Sequence, residues 1–128
     1  DAAGFPYLVA VIDGTLVGYA YASHYRLRPA YRHTVENSIY LDPDWTARGF
    51  GRRLLMQLID DCAHRGFRQM IAVIGDSANE ASVRLHARCG FDNIGTLPAV
   101  GHKFGRWVDS VLMQRALGPG ASAAPTRR

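Results

Sequence analysis

Ile39-Tyr40-Leu41-Asp42-Pro43-Asp44-Trp45-Thr46-Ala47-Arg48-Gly49-Phe50-Gly51-Arg52-Arg53-Leu54-Leu55 is the stretch that decides how this chain folds. An apolar strand end runs into Asp42-Pro43-Asp44, which cannot continue a ladder, and from Gly49-Phe50-Gly51 onward apolar residues recur at helical spacing. Glycine at such a step admits backbone dihedrals closed to other residues and lets a large ligand approach the main chain. The first amides of a helix have no intrahelical partner, and the macrodipole adds partial positive charge to them. Arg48, Arg52 and Arg53 add whole charges beside that point. The stretch therefore predicts a strand, a turn and a helix start able to take a polyphosphate. A plain turn, followed by a helix with solvated arginines, is the other reading that the motif alone leaves open.

Toward the C-terminus, Leu54, Leu55, Leu58, Ile59 and Cys62 make one face of a helix over Gly51–Arg65, which Gly66 stops. Met70–Ile74 is a near-continuous apolar strand, the pattern of one covered on both faces and reached by a helical crossover. Gly75-Asp76-Ser77 turns into a second helix, Ala78–Arg88, with Ala81, Leu85 and Cys89 inward and Gly90 at its end. A strand over Phe91–Leu97, a glycine-bearing loop with Lys103 and Arg106, and a last strand over Trp107–Gln114 follow. Toward the N-terminus, Thr34–Leu41 is a strand preceded by a polar, aromatic and basic loop, His24–Arg32. Before it, Asp13-Gly14 joins Tyr7–Ile12 to Thr15–Ser23 as a hairpin. The order β-β-β-α-β-α-β-β implies an α/β (α+β) fold with a mixed, mostly antiparallel central sheet flanked by helices.

At 128 residues and 48% apolar, the chain is long enough for one domain with a real core, expected over residues 1–117. The Pro/Gly-rich, aperiodic residues 118–128 are expected to be disordered. Fifteen Lys and Arg against eleven Asp and Glu give a net charge of +4, with Lys103 the only lysine. Arginine suits anionic ligands with branched oxygens. Nucleic acid is not expected as a partner, because the arginines are scattered and not gathered into a stripe with aromatic residues. Cys62 and Cys89 have no partners at metal-ligand spacing and read as buried or half-buried thiols of a reducing, cytoplasmic protein, so no metal is expected. Neither a leader peptide nor a bilayer-spanning run is expected.

The order of elements, the Arg48-Gly49-Phe50-Gly51 turn after a strand, and Asn79-x-x-Ser82 leading to Leu85-His86 and Gly90-Phe91 resemble the GNAT superfamily of acetyl-CoA-dependent N-acetyltransferases. Thr34-Val35-Glu36-x-Ser38-Ile39-Tyr40, Ala72-Val73-Ile74, Ser82-Val83-Arg84-Leu85-His86 and Lys103-Phe104-Gly105-x-Trp107-x-Asp109 further resemble the phosphinothricin and methionine sulfoximine N-acetyltransferases. The resemblance extends from about Phe5 to Gln114. Two features depart from it. Thr46 stands where the glycine turn usually has Gln or Arg, and the strand and two helices that usually precede the hairpin are expected to be missing here.

An amine attacks a thioester only as the free base, so the reaction needs a proton acceptor, for which Glu36 is the candidate. Period two puts Val35, Asn37 and Ile39 on one face and Glu36, Ser38 and Tyr40 on the other, which leaves open whether Glu36 faces solvent or a site. The resemblance implies that it is the base. It also implies an oxyanion donor at or next to Tyr40 or Leu41, and acetyl-CoA held by Ile39, Tyr40, Leu41, Arg48, Gly49, Phe50, Gly51, Arg52, Asn79 and Ser82. Asn79 can equally cap its helix. His86 is either a proton donor or cofactor contact, or a histidine bonded into the interface between helix and sheet. For the acceptor, the resemblance points to Arg28 first and then to Tyr31 and Lys103, while Phe104 and Trp107 either line a pocket or pack. The expected function is direct acetyl transfer from acetyl-CoA to the α-amino group of a small amino acid or analogue, with the protein a homodimer. A non-catalytic acyl-CoA-binding module and a peptide N-acetyltransferase are the competing readings.

Overall fold

Asp13 and Gly14 have φ of 49° and 80°, the pair of left-handed dihedrals that a two-residue hairpin turn needs to match the twist of its strands. They join β1 (Tyr7–Ile12) to β2 (Thr15–His24), and β3 (Thr34–Leu41) pairs antiparallel onto the hairpin. The computed structural model describes residues 4–46, 48–76 and 79–127. Ala47 in the glycine turn, Ser77 and Ala78 in the second turn, and Arg128 at the end lie outside the described residues. The remaining elements are α1 (Phe50–His64), β4 (Gln69–Ile74), α2 (Glu80–Arg88), β5 (Asp92–Lys103) and β6 (Arg106–Ala116).

The sheet runs β1-β2-β3-β4-β6-β5. Only β3 and β4 are parallel, joined through α1, while the other pairs are antiparallel. This is the mixed, mostly antiparallel α/β sheet that the order of elements implies. On α1, Leu54, Leu55, Leu58, Ile59 and Cys62 are buried and pack in one cluster with Val35, Phe67, Met70, Ala72 and Met113. The opposite sheet face carries a ladder of stacked rings, with Tyr7 at 5.4 Å from Tyr21 and Tyr19 at 5.4 Å from Tyr40.

Three expectations are corrected. On α2, Ala81 is exposed, and His86, together with the C-capping Cys89, takes the buried position. The helix begins at Glu80, and its 3.6-residue period then turns Ser82, Val83, Leu85 and His86 toward the sheet. The strand expected to end at Leu97 continues to Lys103, because Gly95 and Gly101 fall at register shifts where bulges absorb them. The segment expected to be disordered is laid back on the domain. Arg68 donates to the carbonyls of Gly120, Ala123 and Ala124 at 2.9, 2.7 and 2.9 Å. Arg127 lies 3.9 Å over the Phe67 ring and donates to the carbonyls of Arg65 and Arg32. Composition predicts what a segment does by itself, and here arginines supply donors that the local sequence lacks.

Candidate active site

β3 and β4 stay together for only three pairs, Thr34 with Gln69, Val35 with Met70 and Glu36 with Ile71. Beyond Glu36 they separate. The gap is a cleft of about 270 Å³, walled by Glu36–Ile39 of β3, Ala72–Ile74 of β4, and Asn79, Ser82 and His86 of the second helix and its cap. The main chain of β3 is exposed to it on one side only. Asp42 N–H donates to Val17 at 2.8 Å and Gly18 lies opposite Leu41. Glu36, Ser38 and Tyr40 therefore spend their main-chain groups on β2, and those of Asn37, Ile39 and Leu41 face away from it. Of the two oxyanion donors expected, the Tyr40 amide is turned into the ladder with Tyr19, while the Leu41 amide points to the open side. Gly18 makes this approach of β2 to β3 possible, since a Cβ there would lie 2.7 Å from the Tyr40 carbonyl oxygen.

Glu36 sits at the apex of the cleft, half-buried and on the sheet face opposite the helices. Burial pushes its carboxyl above the ordinary range, and the positive charge of Arg26 opposes that rise. Asn37, next along the strand, turns into the core and is buried. Its amide meets His86 Nε2 at 3.2 Å, and the other ring nitrogen of His86 lies 2.8 Å from the Ser82 carbonyl. A carbonyl can only accept, so Nδ1 carries the proton. Burial holds the imidazole below its usual pKa, with the Ser82 bond working in the other direction.

The start of α1 lies beside the end of β3. Gly49 caps the helix with φ 83° and no side-chain hydrogen bond, and Arg53 N–H is the one that reaches back to Gly49. The amides of Phe50, Gly51 and Arg52 have no partner within the helix, and no acceptor among the described residues takes them up. The two glycines differ in kind. Gly49 needs its left-handed dihedral, whereas a Cβ at Gly51 would make only ordinary contacts with Leu85 and Leu41, at 3.5 and 3.9 Å. Packing within the chain does not require glycine at 51. Arg48 lies 4.8 Å over the Trp45 ring, Arg52 is exposed, and Thr46 spends its hydroxyl on the Pro43 carbonyl. Asn79 caps α2 by accepting from Ser82 N–H while also lining the cleft, so both readings of it hold geometrically.

A second hollow, about 660 Å³ and open, is lined by His24, Tyr25, Arg26, Leu27, Arg28 and Tyr31. It adjoins the apex, because Ser23 of β2 lies opposite Glu36. Arg28 and Tyr31 are brought together there, but Lys103 is not. It stands exposed at the end of β5, opposite Arg106, and lines neither hollow. Phe104 and Trp107 are also exposed and do not pack in the core. Sequence reasoning passes over Arg26 and Asn37. Arg26 is signalled by sharing the basic loop with Arg28, and Asn37 by being the one polar residue on the inward face of β3.

The first 91 residues match the model of the Acetyltransferase (GNAT) family. The chain belongs to that family. Among GNAT relatives, it is 57% identical over 123 residues to the phosphinothricin N-acetyltransferase of Alcaligenes faecalis, covering 96% of this chain and 62% of that one. It is 43% identical over 114 residues to the L-methionine sulfoximine/L-methionine sulfone acetyltransferase of Salmonella typhimurium, covering 89% and 66%. The chain thus spans slightly less than two thirds of the length of these curated relatives. A GNAT superfamily phosphinothricin acetyltransferase from Sinorhizobium meliloti, solved in complex with acetyl-CoA, superposes with a TM-score of 0.93 at 49% identity over 98% of this chain and 68% of that one. The described GNAT residues contain no group of His, Cys, Asp and Glu able to hold a metal, and no helix among them is long and apolar enough to cross a membrane.

Proposed function

We propose that this GNAT chain transfers an acetyl group from acetyl-CoA to the α-amino group of a small amino acid carrying a second acidic group. The observation that carries the reading is the separation of β3 from β4 immediately after Glu36, which opens a cleft with a carboxylate at its apex. The pantetheine arm lies in the cleft against the Ile39 and Leu41 main chain, with Asn79 and Ser82 on the other wall. The pyrophosphate takes the free amides at Phe50, Gly51 and Arg52, with Arg48 and Arg52 adding charge.

Glu36 takes a proton from the substrate ammonium, directly or through water, and the freed amine attacks the thioester carbonyl. Negative charge develops on the carbonyl oxygen, and the outward-facing Leu41 amide stabilises it. The tetrahedral intermediate then loses the thiolate as its C–S bond breaks, and the proton that the new amide nitrogen gives up passes to the thiolate, leaving the neutral amide and the free thiol. Transfer is direct. Cys62 and Cys89 are both buried, and burial pushes the Cys62 thiol up to about 12, so neither serves as nucleophile. Stable label on either cysteine after incubation with labelled acetyl-CoA and no amine contradicts this.

The acceptor rests in the hollow beside Glu36, with its distal anion on Arg28, assisted by Tyr31 and Arg26. Phosphinothricin, which a relative is named for and whose phosphinate is the second acidic group, is the acceptor of choice. Methionine sulfoximine and methionine sulfone, which another relative is named for, have uncharged side chains and test whether an anion is required. The reading also takes the protein as cytoplasmic and as a homodimer. Exposed Ile94, Leu97, Val100, Phe104 and Trp107 on the β5–β6 hairpin support the pairing, and sedimentation measures it. Mass spectrometry of reactions containing phosphinothricin or a tetrapeptide is the test of function. Acetylation of the amino acid alone supports the proposal, acetylation of the tetrapeptide alone favours a peptide N-acetyltransferase, and bound acetyl-CoA with neither product favours a binding module.

A further inference from the structure

Asn37 is buried at the point where β3 leaves β4, on a face otherwise given to apolar packing. A buried amide is retained there only if its polar atoms are satisfied. Its partner is His86 of α2, whose own surroundings leave little freedom. Nδ1 donates to Ser82, the ring meets Phe91 edge-on at 5.0 Å, and the His86 carbonyl accepts from Phe91 N–H at 3.0 Å. With the proton on Nδ1, Nε2 has only a lone pair to offer, and the Asn37 amide fills it as donor at 3.2 Å. The alternative contact, with the amide oxygen toward Nε2, is longer at 3.4 Å and requires an additional proton on the ring. Burial holds the imidazole below its ordinary pKa, in keeping with the neutral ring.

We infer that Asn37 is a positioning residue, pinning β3 to α2 through His86 and so fixing the width of the cleft between β3 and β4. This deepens the proposed function and rests on the cleft being the acetyl-CoA site. It also assigns His86 a role as a strut, because both ring nitrogens are occupied and the proton it holds is committed to the Ser82 carbonyl. The Ser82–His86–Asn37 chain crosses from one wall of the cleft to the other, and all three residues line it. Removing the amide frees the wall that carries Asn79 to move relative to the wall that carries Ile39 and Leu41.

The test uses the full chain, with two readouts that need no turnover. Long-range proton–nitrogen correlation on 15N-labelled protein at neutral pH should show His86 with Nδ1 protonated and Nε2 bare. Calorimetry with acetyl-CoA should show affinity falling about tenfold in folded Asn37→Leu. Asn37→Asp should bind within about threefold of the parent, with His86 Nε2 now protonated toward the new carboxylate. A parent protein with Nε2 protonated and Nδ1 bare, or a folded Asn37→Leu that binds acetyl-CoA as tightly as the parent, overturns the inference. Binding without transfer overturns the transferase reading alone, whereas no binding by the parent chain overturns both.

Discussion

Glu36 and Arg26 make a pair in which each residue can be moved separately. Burial raises the carboxyl and Arg26 lowers it, so kcat/KM should rise with pH along an acidic limb lying above the ordinary glutamate range. In Arg26→Gln the opposing charge is gone and the limb should move to higher pH, as read from the midpoint of the profile and not from its height. A limb that stays where it was shows that Arg26 does not act on the base. For stability the sign is the reverse of the usual carboxylate case. A glutamate raised in the folded state favours folding while protonated and loses that contribution as pH rises through its folded pKa. Glu36→Gln should therefore match the parent at low pH and exceed it slightly in thermal stability at neutral pH, even as activity is lost.

At the scale of elements, the two glycines of the helix start separate backbone need from ligand need. Gly51→Ala meets only ordinary contacts and puts a better helix former into α1, so its Tm should hold or rise. On the proposed placement of the pyrophosphate at the Gly51 amide, its affinity for acetyl-CoA should weaken about tenfold, ~1.4 kcal/mol, as the added methyl crowds that approach. Unchanged affinity shows that no ligand comes close to that amide. Gly18 is the contrasting case, as a Cβ there would press on both the Tyr40 carbonyl and Leu41. Gly18→Ala should cost about 1–3 kcal/mol, a fall of several degrees in Tm by calorimetry. The value of Gly49 and Gly51 is legible in the sequence, because a turn followed by helical spacing announces itself. That of Gly18 is not. It sits inside a strand pattern, and the close approach of β3 that demands it exists only once the register is set.

Across the whole molecule, the hairpin, the parallel crossover and the element order follow from local pattern, since Asp13-Gly14, the stripe on α1 and the apolar run of β4 each carry their own signal. Glu36, Asn79 and Ser82, which the resemblance singles out, line one cleft. What stays hidden depends on distant partners. Ala81 is mistaken for an inward residue because a nine-residue helix fixes its phase poorly, Lys103 falls outside both hollows, and the last residues are ordered by Arg68, fifty positions or more away. The strap they form ties Arg32, at the foot of the acceptor loop, to the Phe67 region through Arg127. Arg127→Ala should lower stability by about 1 kcal/mol in denaturant melts, through one ring contact and two hydrogen bonds to carbonyls. No change in the melt shows that the strap contributes nothing.

The most direct test of the account is thiol release from acetyl-CoA by this chain and by Glu36→Gln, with phosphinothricin as acceptor near neutral pH and acetyl-CoA binding measured alongside. Turnover by the parent is expected, with a loss of kcat of about a hundredfold or more in the variant and binding retained. Equal turnover by both proteins would contradict Glu36 as the base, and binding without turnover in the parent would contradict the assignment of transfer to this cleft.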